Sequence, residues 1–233
     1  MHKYVVLYSG GLDSTCMLYK LIKEVGSENV VAINVFYGQK HPIERECARY
    51  HAKKIWGIEM EDHYMEADLS QVFQWDKTCS LLAHNSEVEV AEGTYEEQQE
   101  GHDGPVATYV PFRNGLMLSY ATAIAYQLGF DRVALAIHKG DTVAAAYPDC
   151  TKAFASYMCQ SIQEGTGLKV SLSTPFVGLT KGEVVAEGKQ AGMDAELFRH
   201  THSCYKGVKG GCGKCATCLE RNEALRQNGI EVE

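Results

Sequence analysis

Two clusters of residues in this 233-residue chain have the types and spacing to do chemistry. The first is Ser9-Gly10-Gly11-Leu12-Asp13-Ser14, between the apolar run Val5-Val6-Leu7-Tyr8 and a helix-patterned stretch that begins at Thr15. Paired glycines let a backbone come close to an anion, and the exposed amides of a helix N-terminus favour negative charge. Ser9 and Ser14 add hydroxyl donors, so the segment suits a pyrophosphate. It is not the P-loop consensus, because the G-x-x-x-x-G-K-[ST] spacing is missing and no lysine follows the glycines. An aspartate beside a polyphosphate repels it unless a divalent cation intervenes, which assigns Asp13 to magnesium, directly or through water. A bare glycine doublet more often makes only a tight turn. Here six residues agree, in a strand, turn and helix context.

The second cluster is Cys204, Cys212, Cys215 and Cys218, spaced C-x7-C-x2-C-x2-C, with Gly207, Gly210, Gly211 and Gly213 among them. Four thiolates close a tetrahedral shell in the manner of structural zinc, whereas catalytic zinc keeps a position for water. One structural zinc per chain is therefore expected. An iron–sulfur cluster also takes four cysteines, and buried thiols without metal are a third reading. The other five of the nine cysteines (Cys16, Cys47, Cys79, Cys150 and Cys159) are scattered. With no export signal, such clustering favours metal over disulfides.

The elements that must position these residues follow from periodicity. Val5–Tyr8 is a strand, and Cys16, Met17, Leu18, Leu21 and Ile22 recur at helical spacing behind the loop. Val30–Tyr37 reads as a second strand, followed by a helix from about Pro42 to Trp56 whose first turn carries Glu44 and Glu46, acids that suit the helix dipole. A third strand is expected over Glu61–Glu66. Arg113–Leu128 reads as a helix with Leu116, Met117, Tyr120, Ala121, Ile124 and Leu128 on its apolar face, and Asp131–Ile137 as the strand after it. Asp149 is the expected cap of a further helix, Leu168–Leu172 a short strand, and Thr180-Lys-Gly-Glu183 a capping-box start. Strands alternating with helices predict an α/β fold with a doubly wound parallel sheet covered on both faces. Residues 1–195 form that domain, with 68–107 as an insertion or mobile loop, and 196–233 form a small zinc-binding region.

Composition agrees with an ordinary folded enzyme or binding domain: 45% hydrophobic and 22% charged. No apolar run reaches the roughly 18–20 residues a membrane span needs. Lys3–Tyr8 is too short for a signal-peptide core, so a cytoplasmic location is expected. A net charge of −8 has the wrong sign for gripping a phosphate backbone, and no stable nucleic-acid partner is expected.

The phosphate loop resembles the SGGxDS signature of the PP-loop family, adenine nucleotide alpha hydrolase-like ATP pyrophosphatases that split ATP to AMP and pyrophosphate while adenylating a substrate. Three further pieces narrow the field: Phe36-Tyr37-Gly38-Gln39-Lys40-His41, Thr108-Tyr109-Val110-Pro111-Phe112-Arg113-Asn114 and Tyr147-Pro148-Asp149-Cys150. In that order, with Ser203-Cys204-Tyr205 opening the cysteine cluster, the chain resembles the QueC family from about residue 3 to residue 225. The resemblance implies a ligase that makes 7-cyano-7-deazaguanine from 7-carboxy-7-deazaguanine, ammonia and ATP in queuosine biosynthesis, with zinc on the four cysteines and a homodimeric assembly.

By the same resemblance Tyr8, Ser9, Gly10, Gly11, Leu12, Asp13, Ser14 and Thr15 bind ATP and its Mg2+, with Tyr37 and Gln39 near the nucleotide. Asp13, Arg113 and Lys181 are the catalytic candidates, the last two stabilising phosphate charge. A lysine or arginine at a helix start is as often only solvated. Tyr147 and Asp149 are candidates for the base pocket, although Asp149 also reads as a helix cap and Tyr147 as core. His138, His200 and His202 carry no assignment. The chain departs from many relatives at 138–146, where an Asn/Asp-rich stretch ending Ser-Gly is usual. Two other readings remain: a PP-loop enzyme that thiolates tRNA or a QueC-like paralogue with another acid or acceptor, and a non-catalytic nucleotide- or zinc-binding module.

Overall fold

The computed structural model describes residues 1–101, 104–141 and 146–231. Along the first strand, β1 (Tyr4–Leu7), side chains alternate between two buried clusters: Tyr4 and Val6 enter one, Val5 and Leu7 the other. β2 (Val30–Phe36) does the same, with Val30 and Ala32 on the first side and Ile33 and Val35 on the second. A strand buried on both faces needs helices on both, which is the arrangement of a parallel α/β sheet. With β3 (Tyr64–Asp68), β4 (Arg132–Ala134) and β5 (Ser171–Ser173), the sheet has five strands in the order β3-β2-β1-β4-β5, every pair parallel.

One face is covered by α1 (Leu12–Val25) and α2 (Ile43–Trp56), which deliver Leu12, Met17, Leu18, Ala48 and Ala52 to the first core. Two short helices, α3 (Met60–His63) and α4 (Ser70–Phe73), flank β3, and α5 (Tyr95–Gln99) lies further along. The other face is covered by α6 (Arg113–Leu128) and α7 (Lys152–Gly165) through Leu118, Ala121, Ala125, Ala155 and Ile162. α8 (Lys181–Gln190) packs on α1; α9 (Ala195–Arg199) and α10 (Ala216–Gln227) complete the chain. Ala224 and Leu225 of α10 lie in the same core as Leu12 and Met17, so residues 196–231 are fastened to the sheet domain by shared apolar burial.

The doubly wound parallel sheet is as the alternation predicts, and differences in detail have local causes. Gly57 ends α2 at φ 57°, and α3 then occupies part of the expected 61–66 strand, so β3 starts at Tyr64. The cap of α7 is Thr151, whose hydroxyl accepts from the Phe154 amide at 3.0 Å, not Asp149. Asp149 is buried and accepts the Asn114 amide at 2.9 Å, thereby satisfying the first turn of α6. Spacing shows that an aspartate can cap a helix but not which helix it faces. α8 begins with the expected capping box, Thr180 and Glu183. On α6 the fully buried stripe is Asn114, Leu118, Ala121 and Ala125, while Leu128 is about half exposed. The helix packs on β1, β4 and α7.

The 68–107 segment contributes α4, α5 and a third apolar cluster, in which Phe73, Cys79, Leu81 and Leu82 meet Tyr37 and Val110. Lys40 donates its amide to Leu81 and Ala83 its amide to Gly38, so the segment is laced to the chain just beyond β2.

Candidate active site

The strand order reverses between β1 and β4, and the loop Ser9–Ser14 emerges from the carboxyl end of β1 at that point, where open α/β sheets bind ligands. Gly10 makes the loop possible. Its φ is 93°, and an added Cβ would lie 2.7 Å from the Ala48 amide and collide with the Glu44 carbonyl of α2. Gly10→Ala is therefore expected to cost about 1–3 kcal/mol in backbone strain alone, lowering Tm by several degrees at about 2–4 °C per kcal/mol for a chain of this size. A thermal melt matching the unsubstituted protein would show that the loop has another conformation.

Ser9 Oγ accepts the Gly11 amide at 3.0 Å and lies 3.1 Å from Ser14 Oγ, whose hydroxyl also lies 3.2 Å from the Gly11 carbonyl. Asn34, on β2, donates to the Tyr8 and Ser9 carbonyls, both at 3.0 Å, and clamps the loop onto the sheet. Tyr8, Leu12 and Thr15 are buried: the Tyr8 hydroxyl lies 3.5 Å from Thr15, and Thr15 donates to the Gly11 carbonyl at 2.8 Å. Their side chains support the loop from beneath.

Above the loop is a cleft that encloses about 1150 Å³, open solvent at its mouth included. The cleft brings together Ser9, Gly11, Asp13 and Ser14 with Tyr37, Gln39, Arg113, Tyr147 and Lys181, from five parts of the sequence. Gly10, Thr15 and Asp149 do not line it. Arg113 lies over the Tyr37 ring, 4.8 Å from its centroid, and Gln39 Oε1 accepts the Tyr37 amide at 2.8 Å.

Asp13 is held between opposing effects. Burial pushes its carboxyl up, but Lys181, whose Nζ donates to Oδ2 at 2.8 Å, and the nearby His138 hold it below the usual carboxylate range. Burial likewise works against the Lys181 ammonium, and Asp13, Glu220 and Asp141 more than offset it. His138 is fully buried; its Nδ1 accepts the Gly140 amide at 3.0 Å, leaving Nε2 3.5 Å from Asp141 and 3.8 Å from Asp13. The second carboxylate oxygen of Asp13, Oδ1, is buried with no hydrogen-bond partner among the described residues. A buried anionic oxygen without a donor suits a hard divalent cation, so the residues present fit magnesium accompanying a polyphosphate.

A second wall is built of hydroxyls. Tyr147 Oη lies 2.7 Å from Thr108 Oγ1, 3.2 Å from Tyr205 Oη and 3.4 Å from Tyr95 Oη. Burial pushes the Tyr147, Tyr95 and Tyr205 phenols up, so all three are neutral donors. Residues 142–145, within the stretch that departs from many relatives, lie outside the described residues. Sequence reasoning missed Asn34, Glu44, Tyr95, Asp141, Tyr205 and Glu220. Tyr205 had a local cue, its place beside Cys204.

The four cysteines of the second cluster converge, with all Sγ atoms within 4.8 Å of one another. Cys212 and Cys218 are 3.9 Å apart, close to the roughly 3.8 Å edge of a tetrahedron with metal–sulfur bonds of about 2.3 Å. The Cys215 amide donates to Cys212 Sγ at 3.3 Å, and hydrogen bonding from Cys218, with Thr217 adding, pulls the Cys215 thiol down. The cluster can hold a metal ion. The remaining cysteines are free, and burial holds Cys16, Cys47, Cys79 and Cys150 well up, so none of those four is a ready thiolate.

A phosphate loop without the P-loop lysine, at the switch point of a parallel sheet in the order 3-2-1-4-5, defines a PP-loop protein of the ATP pyrophosphatase type. The chain belongs to the QueC family: the model described as "Queuosine biosynthesis protein QueC" matches residues 3–229. It is 34% identical to the 7-cyano-7-deazaguanine synthase of Porphyromonas gingivalis, over 97% of this chain and 93% of that protein. It is 35% identical to the synthase of Aquifex aeolicus over 95% of each chain, and 34% identical to that of Methanoculleus marisnigri over 99% of this chain and 97% of the other.

Proposed function

We propose that this chain is an ATP-dependent ligase that converts 7-carboxy-7-deazaguanine and ammonia to 7-cyano-7-deazaguanine in queuosine biosynthesis. The observation that carries the reading is the QueC match over nearly the whole chain, joined to a phosphate loop whose Asp13 lines the cleft and keeps one buried oxygen without a hydrogen-bond partner among the described residues. A carboxylate resists ammonia because the oxygen it must expel is a poor leaving group. Transfer to AMP makes that oxygen a good one, and a second adenylation, of the amide oxygen, lets AMP depart and leaves the nitrile. One phosphate site serves both rounds.

The residues divide by position. Ser9, Gly10, Gly11 and Ser14 cradle the pyrophosphate, and Arg113 and Lys181 meet charge that builds as pyrophosphate leaves. Asp13 would hold magnesium, which when bound screens the phosphates from this carboxylate. Tyr37 and Gln39 border the nucleotide, and the Tyr147 hydroxyl wall borders the deazaguanine. Asp149 acts from behind by fixing the first turn of α6, and hence Arg113. Cys204, Cys212, Cys215 and Cys218 would hold one zinc in a structural role, since a complete thiolate shell leaves no position for substrate. The ligase works in the cytoplasm, as a homodimer. Among the described residues no helix is long and apolar enough to cross a membrane.

The test is incubation with ATP, magnesium, ammonium and a panel of carboxylated purine analogues, with products read by mass. Nitrile, AMP and pyrophosphate are the expected products, dependent on the 7-carboxy-7-deazaguanine. ADP and phosphate as the only nucleotide products, or turnover with a different acid alone, would overturn the assignment.

A further inference from the structure

Glu44 lies on α2, four residues before Ala48 and eight before Ala52, both fully buried, so it sits in line with the stripe that α2 turns to the core. An acid in that row is out of place unless it faces a site. It does face one: Glu44 lines the cleft, and its Oε1 lies 2.9 Å from where a Cβ on Gly11 would stand, so the carboxylate rests over the phosphate loop. Glu44 makes no side-chain hydrogen bond and no ion pair with any described residue, and its oxygens are not sealed off from the cleft. An unpaired carboxylate inside a site for polyphosphate opposes binding of that ligand, so its presence calls for a cationic or proton-donating partner.

The nitrogen chemistry supplies that partner. The inference rests on the ligase reading above. When ammonia attacks the acyl adenylate, its lone pair forms the C–N bond, the C–O bond to AMP breaks with its electrons leaving on AMP, and one N–H proton must leave. In the second round the amide oxygen attacks the α-phosphorus of ATP and pyrophosphate departs. The adenylated amide then loses both N–H protons as the C–O bond to AMP breaks and the C≡N bond forms. We infer that Glu44 is the acceptor of these protons, taking them one at a time from the nitrogen and passing each to solvent through the open cleft.

Its setting suits the task. Burial pushes the Glu44 carboxyl up to about 7; Arg113 on α6 and Lys181 on α8 work against that rise, Asp13 on α1 adds to it, and the Tyr37 phenol and Cys47 thiol are further titratable neighbours. A base poised near neutrality is both free to accept and able to release a proton at pH 7.

Glu44→Gln separates the steps. Acid-dependent exchange of labelled pyrophosphate into ATP reports adenylation and needs no proton acceptor, so it is expected to stay within about three-fold of wild type. Nitrile formation is expected to fall by at least about 100-fold, and the defect persists when the primary amide replaces acid and ammonium. Wild-type nitrile formation should rise with pH through about 7, and the variant should lose that limb, while Glu44→Asp keeps it at a reduced rate. Melting curves of both variants establish that they are folded. Parallel loss of exchange and nitrile formation would make Glu44 a phosphate- or cation-site residue and overturn the proposal, as would unchanged nitrile formation. Wild-type protein with no acid-dependent exchange would overturn the ligase reading itself, and this inference with it.

Discussion

Asp13→Asn lowers formation of AMP by about 100- to 1000-fold at saturating magnesium while the protein melts within a few degrees of wild type. The expected loss is the size seen when one preorganised group that meets phosphate or oxyanion charge is removed. Asparagine keeps the shape and can still accept from Lys181, so packing is conserved. What disappears is the negative charge at Oδ1, the one oxygen of this side chain that no protein donor satisfies. Stability is affected in two ways. A first-turn acid on α1 contributes about 0.3–1 kcal/mol through the helix dipole, and breaking a buried ion pair can cost about 3–5 kcal/mol when a charge is stranded. Lys181 is not stranded here, because Glu220 lies 3.8 Å from its Nζ. A loss of about 1–2 kcal/mol follows, or roughly 2–8 °C at this chain length. Raising magnesium should not restore the rate. Near-wild-type turnover in magnesium excess would show that Asp13 serves only to pair with Lys181, and a collapse of Tm by tens of degrees would show that the ion pair is chiefly structural.

The residues that were legible in the sequence are those whose chemistry is local. Ser9 to Ser14 carry their meaning in six consecutive positions, and the four cysteines in fifteen. The sheet was legible because strands buried on both faces read as continuous apolar runs followed by helical periodicity. Lys181 and Arg113 are different. Each looks like any basic residue at a helix start, and only the family motif gave Arg113 weight; the cleft shows what the resemblance could not, that Lys181 is fastened to Asp13 across 168 positions. Glu44 was read as an acid that suits the dipole of α2, and it occupies that first turn. A cue was nevertheless present: it falls on the row of Ala48 and Ala52, where an acid costs desolvation. Asn34 in the middle of an apolar strand carried the same signal, a polar side chain placed where only a backbone partner justifies it, and that partner is the phosphate loop. Asp149 went astray for the opposite reason. Its sequence neighbours offered a complete local explanation, a cap for α7, and the true contact with Asn114 is tertiary.

Cys215→Ser is the substitution expected to do most to the C-terminal loop, and its consequences should divide between fold and function in a particular way. Zinc content is expected to fall well below one per chain. Apparent zinc-binding energies of about 10–16 kcal/mol in small peptides rival the whole stability of a domain, about 5–15 kcal/mol, so the loop cannot stay ordered without its metal. The apolar share of the cysteine region is small: besides the cysteines, only Val90 and Tyr205 among the described residues pack there. What else holds it is polar: Thr217 donates to the Ser203 carbonyl at 2.6 Å, and Gly93 donates its amide to the Lys214 carbonyl at 2.9 Å. Unfolding should nevertheless stop at α10, since Ala224 and Leu225 are embedded in the core with α1. Limited proteolysis is therefore expected to cut between about residues 203 and 215 while the sheet domain survives. Ser203, Tyr205 and Thr217 all line the cleft, and Tyr205 belongs to the hydroxyl wall around Tyr147. The KM for the acid substrate should accordingly rise at least ten-fold, with the KM for ATP changed far less, because the phosphate loop is anchored by β1 and α1. A variant that has lost its zinc yet resists protease and keeps its KM values would refute the structural role. Iron and visible absorbance in the native protein would refute zinc as the metal, and an equal rise in both KM values would mean that the cysteine loop supports the whole cleft rather than its acid-binding wall.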